Sequence, residues 1–351
     1  MIKLLIPCAG KSSRFHEKPK WLLTCPNGNL MIQESIAGLD LTEVDCIYIT
    51  FLKEHIERYC KNCDLKKLFA FTNKKINIYI LDQLTKSQTE TVYKTIKHFN
   101  INDPIFIKDC DNYYTHKIIK QNYICYIKID ENNNISKPYN KSFIEFNNQK
   151  QLSNICEKKI ISDNICVGGY SFINSTDFIS IYDNIISLDL IKNELYISHI
   201  INQALLMNII FNVKEVKKYI DWGTIGEWDK YKSQFKTLFV DLDGVLVYNS
   251  SKYFTPKWGD SEPIIKTVDH LNKMYKTNKV KIIITTARSS LFKDATIKQL
   301  QKYNIPYDNI IFDLYHAQRI LINDYSNTNK YPTSISINLK RDTDELANIL
   351  I

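Results

Sequence analysis

The chain has 351 residues, long for one domain and comfortable for two, and its balance of 44% hydrophobic to 24% charged residues is that of a globular protein, which excludes disorder as the default. The formal charge of +8 divides evenly: residues 236–351 hold 16 Lys and Arg against 12 Asp and Glu, leaving 30 against 26 in residues 1–235. Neither part has a basic tail or stripe, which argues against a nucleic-acid partner despite a pI near 8.8.

No apolar run approaches the roughly 18 residues that span a bilayer, and Met1–Pro7 runs straight into a motif rather than a cleavage site. The expectation is a cytoplasmic protein with no membrane partner. All nine cysteines fall in the first half, an odd number without framework spacing, which suits reduced thiols. Cys60-Lys-Asn-Cys63 is a lone CxxC with no second pair, too little for a zinc or redox site.

Short β-branched runs alternate with helical patterns from the start. Lys3–Pro7, Cys46–Phe51, Asn77–Leu81 and Ile105–Lys108 read as strands, and Met31–Leu39, Glu54–Tyr59 and Glu90–Phe99 as helices. That rhythm predicts an α/β fold with a largely parallel sheet. From Cys125 to Phe146 the pattern turns to strand and turn, with Asp130–Ile135 as a hairpin loop, an inserted layer on the substrate side. A helical run over Asn184–Met207 follows, then Ile209–Val216 and Asp221-Trp-Gly-Thr224. Trp228–Phe235 is a short amphipathic stretch, and the alternation restarts at Thr237, so the expected domains are 1–235 and 236–351. There are no internal repeats.

The first strand runs into Cys8-Ala-Gly-Lys-Ser-Ser-Arg-Phe15, with Lys18-Pro-Lys20 shortly after. The small residues Ala9, Gly10, Ser12 and Ser13 expose backbone N–H groups to phosphate oxygens, while Lys11, Arg14 and Lys20 neutralise a polyphosphate. This is neither a Walker loop nor a GxGxxG fingerprint. Asp109 and Asp111 stand just past a buried strand, where alternation turns both carboxylates to one side, a pair able to hold Mg²⁺. The plain alternatives are a phosphate-free turn and a solvated strand end.

The segment Ala9–Arg14 with Pro19-Lys20 resembles the signature of nucleotidyltransferases that activate sugar phosphates and related small phosphates. The resemblance implies a Rossmann-like GT-A domain that joins a nucleoside triphosphate to a phosphorylated acceptor and releases pyrophosphate. Lys-Ser-Ser-Arg-Phe followed by Pro-Lys-Trp-Leu-Leu-Thr is similar to cytidylyltransferases of capsule-modification pathways, including the phosphoglutamine type, which implies CTP as donor. It further implies that Asp221 completes a Mg²⁺ site with Asp109 and Asp111, and that Gln88 and Thr89 meet base edges. Gly169 and Glu194 would face the acceptor. Ser87 stands where the family often has glycine, which leaves the base contacts open.

In the second domain, Leu238-Phe-Val-Asp-Leu-Asp-Gly244 is an apolar strand ending in two carboxylates. It resembles motif one of the haloacid dehalogenase superfamily, which implies Asp241 as nucleophile, Asp243 as general acid/base, and Mg²⁺ to offset repulsion between two anions. Lys281–Arg288 places Thr286 as the phosphate-binding residue, and Arg319–Asp324 reads as a strand ending in a metal ligand, Asp324. Asn323 precedes Asp324 where adjacent aspartates are frequent, and the usual lysine has no match, so Arg319 or Lys293 would serve. Spacings of about forty residues between motifs leave no room for a large cap, so this domain is expected to be a capless Rossmannoid. Asn249–Asp260, with Tyr253, Phe254 and Trp258, is either a flap or a loop packing its aromatics on the core.

These readings combine into a bifunctional enzyme in surface-polysaccharide modification: nucleotidyl transfer followed in the chain by phosphate-ester hydrolysis. Two alternatives stay open, a transferase with a structural C-terminal domain and a non-catalytic nucleotide- or RNA-binding protein. Self-association of the chain is also open.

Overall fold

The strand β1 (Ile2–Cys8) is apolar on both faces and almost wholly buried, as a strand at the centre of a parallel sheet must be. The computed structural model describes residues 1–12, 15, 18–61, 64–130, 138–189, 194–324 and 333–349. The chain divides into two compact units, Met1–Lys232 and Ser233–Ile351. After β1 the first unit runs α1 (Met31–Ala37), β2 (Leu39–Asp40), β3 (Val44–Leu52), α2 (Lys53–Tyr59), β4 (Lys75–Leu81), α3 (Gln88–Phe99), β5 (Ile105–Lys108), β6 (Asn112–Lys117) and β7 (Tyr123–Lys128). It continues with β8 (Ser142–Phe146), β9 (Leu152–Glu157), β10 (Asn164–Phe172), α4 (Ser175–Ser187), α5 (Ile197–Leu206), β11 (Asn212–Glu215), β12 (Lys217–Asp221) and α6 (Ile225–Lys232).

The main sheet has the order β11-β7-β10-β5-β1-β3-β4, with β8 and β9 attached beside β10, and a small sheet β12-β6-β2 lies apart from it. The strands β4, β3, β1 and β5 are parallel, joined by crossovers that carry α1, α2 and α3. From β1 the chain moves outward through β3 to β4, then returns across β1 to reach β5. The carboxyl ends of β1 and β5 therefore flank the point where strand order reverses, the usual crevice for ligands in open α/β sheets.

Both faces of the sheet are covered. One core gathers Leu4 and Ile6 of β1 with Trp21, Ile36, Phe51 and Phe69, and the other sets Ile107 and Tyr170 against Val92, Phe178 and Ile200 from the helices. Each fully buried large apolar side chain contributes about 1.5–3 kcal/mol. Helix α3 is capped by Ser87, whose Oγ accepts from Glu90 N–H at 3.1 Å, and closed by Asn100 in the left-handed region. The helix expected over Asn184–Met207 is instead two, α4 and α5, with residues 190–193 outside the described set. Asp189 at φ 49° ends the first, and apolar spacing at Phe178, Ile181 and Ile185 extends it further back than expected. The Asp130–Ile135 loop lies outside the described residues from 131 onward.

The second unit holds β13 (Lys236–Asp241), α7 (Ile265–Tyr275), β14 (Val280–Thr285), α8 (Lys293–Lys302) and β15 (Asn309–Ile311), with the parallel order β13-β14-β15. Its core packs Val240, Leu242, Ile282 and Ile284 against Val268, Leu271 and Leu300. The strand expected over Arg319–Asp324 does not form: those residues join no strand among the described residues and are exposed, Ile322 at 90%. The place beside β14 is taken by the nearer β-branched run, with Ile310 opposite Ile284. Among the described residues no helix is long and apolar enough to cross a membrane, and Cys8, Cys25, Cys46, Cys110, Cys125, Cys156 and Cys166 are free thiols.

His116 on β6 lies beneath the sheet against the Phe106 ring, its Nε2 2.9 Å from the Tyr123 hydroxyl. Burial, with a smaller push from Lys214, lowers its pKa from 6.5 to about 4. The folded state thus binds this proton less readily than the unfolded chain. Its contribution is complete above pH 6.5 and is lost as the pH falls toward about 4, on the order of 3 kcal/mol. In urea unfolding at pH 7 and pH 4.5, His116→Gln should reduce the difference that the parent chain shows; an unchanged difference would rule this origin out.

Candidate active site

The loop after β1 is built around its own backbone. Ala9 is buried, Gly10 faces open space, and Ser12 takes a positive φ of 50° while its Oγ accepts from Lys20 N–H at 3.1 Å. Phe15 N–H donates to Ser12 O, closing the turn. The Phe15 ring packs with Trp222 and Trp228 in a small aromatic cluster, and the Lys20 ammonium lies 5.3 Å from the Phe15 ring centre. That cluster ties the loop to the Asp221-Trp-Gly-Thr segment and fixes where Lys20 can reach. Lys11 is exposed. Ser13 and Arg14 lie outside the described residues.

Lys20 Nζ donates to Asp111 Oδ2 at 2.7 Å and to Gly223 O at 2.8 Å. Asp111 and Asp221 come together because Asn112 on β6 pairs with Asp221 on β12, and Trp222 N–H donates to Asp111 O at 2.9 Å. The Asp221 Oδ2 meets the ammonium of Lys141, which enters from the turn before β8 and also lies 3.4 Å from the Tyr219 hydroxyl. Asp109 Oδ1 accepts from Gln88 Nε2 at 2.6 Å, and its other oxygen lies against Gly168. Beneath the turn, the buried Lys108 ammonium donates to Asp109 O at 2.6 Å, Asn112 O at 3.0 Å and Asn112 Oδ1 at 2.6 Å, clamping the backbone that carries both aspartates.

The electrostatics follow from this placement. Burial, reinforced by the Asp111 charge, pushes the Asp109 carboxyl up to about 6. Burial acts the same way on Asp111, but the adjoining Lys20 ammonium overrides it and holds that carboxyl at about 2. Lys108 is lowered to about 8 by burial, against the pull of both aspartates. Lys141 is raised despite burial, because Tyr219, Asp221 and Asp111 surround it.

The expected three-aspartate metal site differs from what is present. Among the described residues no three or more His, Cys, Asp or Glu side chains gather into a group that could hold a metal ion. Asp111 and Asp221 are each engaged by an ammonium, so the side chains as they stand do not fit Mg²⁺. Thr89 is buried and donates to Leu195 O at 2.8 Å, so its hydroxyl anchors the 194–196 segment and is not free for a base edge. Gly169 faces the Tyr114 hydroxyl and Cys125 in the core, and its neighbour Gly168 is the one beside Asp109. Glu194 accepts from the Tyr196 hydroxyl at 2.6 Å, which also meets Lys158. Lys141 and Lys108 were not singled out from sequence. A lysine closing the buried run Ile105–Lys108 is itself a signal, because a charge there needs partners. Lys141 has none, since its partner Asp221 lies eighty positions away.

In the second unit Asp241 and Asp243 stand at the end of β13, each held by a guanidinium. Arg319 Nη2 donates to Asp241 Oδ1 at 3.1 Å. Arg288 is fully buried and donates from Nε to Asp243 Oδ2 at 2.8 Å and from Nη2 to Oδ1 at 2.7 Å, with the Ser250 hydroxyl adding a third bond at 2.6 Å. Thr296 and Gln299 on α8 accept from its remaining nitrogen. Thr286 is buried, and its Oγ1 accepts from Arg288 N–H at 3.1 Å. Gly244 needs its φ of 87°, and a Cβ there would lie 2.7 Å from Arg341 Cγ. Asp324 is exposed in the unpaired segment described above, and the structure does not bring it to Asp241 or Asp243. Trp258 packs on Phe292 while Tyr253 and Phe254 are exposed, so the 249–260 segment is part core and part surface.

No protein-family model and no curated protein matches the chain. Solved structures do. A nucleoside-diphosphate-sugar pyrophosphorylase from Vibrio cholerae RC9 matches with a TM-score of 0.55 at 18% identity, covering 66% of this chain and 100% of that one. The inositol-1-phosphate CTP transferase from T. maritima matches at 0.51 and 9%, covering 64% and 90%. A UDP-glucose pyrophosphorylase complexed with UDP-glucose matches at 0.50 and 17%, covering 66% and 98%. At these identities the likeness is one of fold: a mixed α/β, sheet-rich core of the Rossmann-like kind found in nucleotidyltransferases.

Gly168→Ala should force Asp109 off its position, since an added Cβ would overlap that carboxylate and the backbone is at φ 73°. The expected cost is about 1–3 kcal/mol in stability, read as a lowered denaturation midpoint. A variant as stable as the parent would show that the close approach is unimportant.

Proposed function

We propose that the first unit is a nucleotidyltransferase acting on a nucleoside triphosphate and a small phosphorylated acceptor. The observation that carries this reading is the convergence of the Ala9–Lys20 loop with Asp109, Asp111 and Asp221 where strand order reverses between β1 and β5. In this reading the backbone N–H groups of the loop and the exposed Lys11 would take phosphate oxygens, with Lys20, whose N–H is bonded to Ser12 Oγ, beside them. In the reaction an acceptor phosphate oxygen attacks the α-phosphorus, the bond to the β-phosphate oxygen breaks, and pyrophosphate leaves. The chain contributes positioning and fixed positive charge rather than covalent chemistry. Lys20, hydrogen-bonded to Asp111 without substrate, moves to the departing pyrophosphate. Lys108 holds the Asp109–Asn112 backbone rigid throughout.

CTP is the donor favoured by the sequence resemblance, and the similarity of fold to a CTP transferase for inositol-1-phosphate supports a small phosphorylated acceptor. The phosphoglutamine-like and sugar-phosphate acceptors remain the two classes within this reading, with a role in surface-polysaccharide modification.

For the second unit we infer a haloacid dehalogenase-like phosphatase site. Its support is Asp241, less buried than Asp243 and met by Arg319, beside Asp243 held rigid by Arg288. Asp241 would attack phosphorus and expel the alcohol, leaving an aspartyl phosphate for water to cleave.

A pyrophosphate-release screen of CTP, UTP, dTTP, ATP and GTP against phosphorylated sugars, polyols and amino acids tests the first activity. CTP should be preferred, and Asp111→Asn should lower the rate about a hundredfold or more; absence of release with every pair would refute it. Phosphate release from p-nitrophenyl phosphate should vanish in Asp241→Asn yet survive Asp111→Asn. Release that persists in Asp241→Asn would remove the second activity.

A further inference from the structure

Cys8 closes β1 and opens the phosphate loop, and Cys110 stands between Asp109 and Asp111 in the turn after β5. The two strands are parallel neighbours, with Lys3 opposite Ile105, Leu4 opposite Phe106 and Leu5 opposite Ile107. Counted on, that register sets Cys8 opposite Cys110. Alternation agrees with it: Leu4, Ile6 and Cys8 from one strand share a core with Phe106 from the other, and Cys110 packs against the same core. The two side chains lie in contact, and both thiols are free. Neighbouring strands run about 4.8 Å apart, inside the span of about 4.4–6.8 Å between Cα atoms that a disulfide bridges.

We propose that Cys8 and Cys110 are a redox-sensitive pair that a peroxide closes to a disulfide, and that the bond shuts the crevice to polyphosphate until a thiol reductant reopens it.

One peroxide is consumed for each bond. Cys110 is half-buried where Cys8 is buried, so its sulfur is the one an oxidant meets. That sulfur gives an electron pair to a peroxide oxygen and the O–O bond breaks; the thiol becomes a sulfenic acid, and its proton leaves with the departing hydroxide as water. The Cys8 sulfur then displaces the sulfenic hydroxyl, which leaves with the Cys8 proton as a second water, and the S–S bond forms. Thiol exchange with a reductant reverses it. Cys125 and Cys166 are also close to one another, but both are buried, which keeps an oxidant from them. The effect on the crevice follows from the neighbours of Cys110. Drawing the two sulfurs from contact into a bond pulls the Asp109–Asp111 turn toward the start of the loop. Asp109 is gripped by Gln88 and lies against Gly168, and Asp111 is gripped by Lys20, whose own N–H is held by Ser12 in the loop. A shift of the turn is therefore passed to the loop itself. Formation of the bond owes nothing to the nucleotidyltransferase reading; its effect on polyphosphate rests on that reading.

The test treats the folded full chain with hydrogen peroxide, alkylates the remaining thiols after unfolding, and searches the digest by mass spectrometry for peptides joined through Cys8 and Cys110. The joined pair should appear in the parent chain, vanish with dithiothreitol and be absent from Cys110→Ser. A parent chain in which Cys8 and Cys110 are recovered only as separate peptides overturns the proposal. The second measurement is calorimetric titration with inorganic tripolyphosphate. Affinity of the parent chain should fall about tenfold or more on oxidation and return with dithiothreitol. Cys8→Ser and Cys110→Ser, with folding checked by circular dichroism, should each bind as tightly after peroxide as before it. Equal affinity of the reduced and oxidised parent chain overturns the closing of the crevice. A reduced chain that binds no polyphosphate refutes the nucleotidyltransferase reading and the closing with it, while the joined peptides still decide the bond.

Discussion

Three carboxylates cannot share a half-buried crevice unless their charge is met, and much of the first unit is arranged to meet it. Asp109 and Asp111 are forced together by the turn that leaves β5, and Asp221 arrives beside them through the β6–β12 ladder. Each is then answered by a donor from a different part of the chain: Gln88 from the start of α3, Lys20 from the loop after β1, and Lys141 from the turn before β8. Lys108 supplies the fourth constraint from below. The inserted β8–β9 layer therefore does more than cover the sheet, because it delivers one of the compensating charges.

The second unit solves the same problem with guanidinium groups. The Asp243 carboxylate accepts three bonds, two from one buried arginine, and that arginine is itself saturated by Thr296 and Gln299. A planar fork fixes the orientation of the carboxylate it grips. Asp241, two positions earlier, is left accessible with a single arginine contact. The two carboxylates, so close in the chain, thus differ in freedom: one is locked and the other open.

Periodicity made the α/β class legible, because β1, β3 and β5 are mostly buried apolar runs and β4 a largely half-buried one, with helical patterns between them. The loop and the aspartate pair were legible because they sit at strand ends, where side chains must face the crevice. Partners remote in sequence were not: nothing near Lys141 announces Asp221, and nothing near Thr89 announces the Leu195 carbonyl that its hydroxyl meets. Gly169, which the family resemblance pointed to, lies against the Tyr114 hydroxyl and Cys125, while Gly168 one step earlier lies against the Asp109 carboxylate. The third motif of the second unit was misplaced for a related reason. Two apolar β-branched runs, 309–312 and 319–322, compete for one edge of β14, and the short connection after α8 lets the first take it.

The most direct test is a crystal structure of the full chain with CTP and Mg²⁺ bound. The triphosphate should lie along residues 9–20 at the carboxyl ends of β1 and β5, with Lys20 Nζ moved from Asp111 Oδ2 onto a phosphate oxygen. A nucleotide bound elsewhere, with the 2.7 Å Lys20–Asp111 pair intact, would contradict this account of the site.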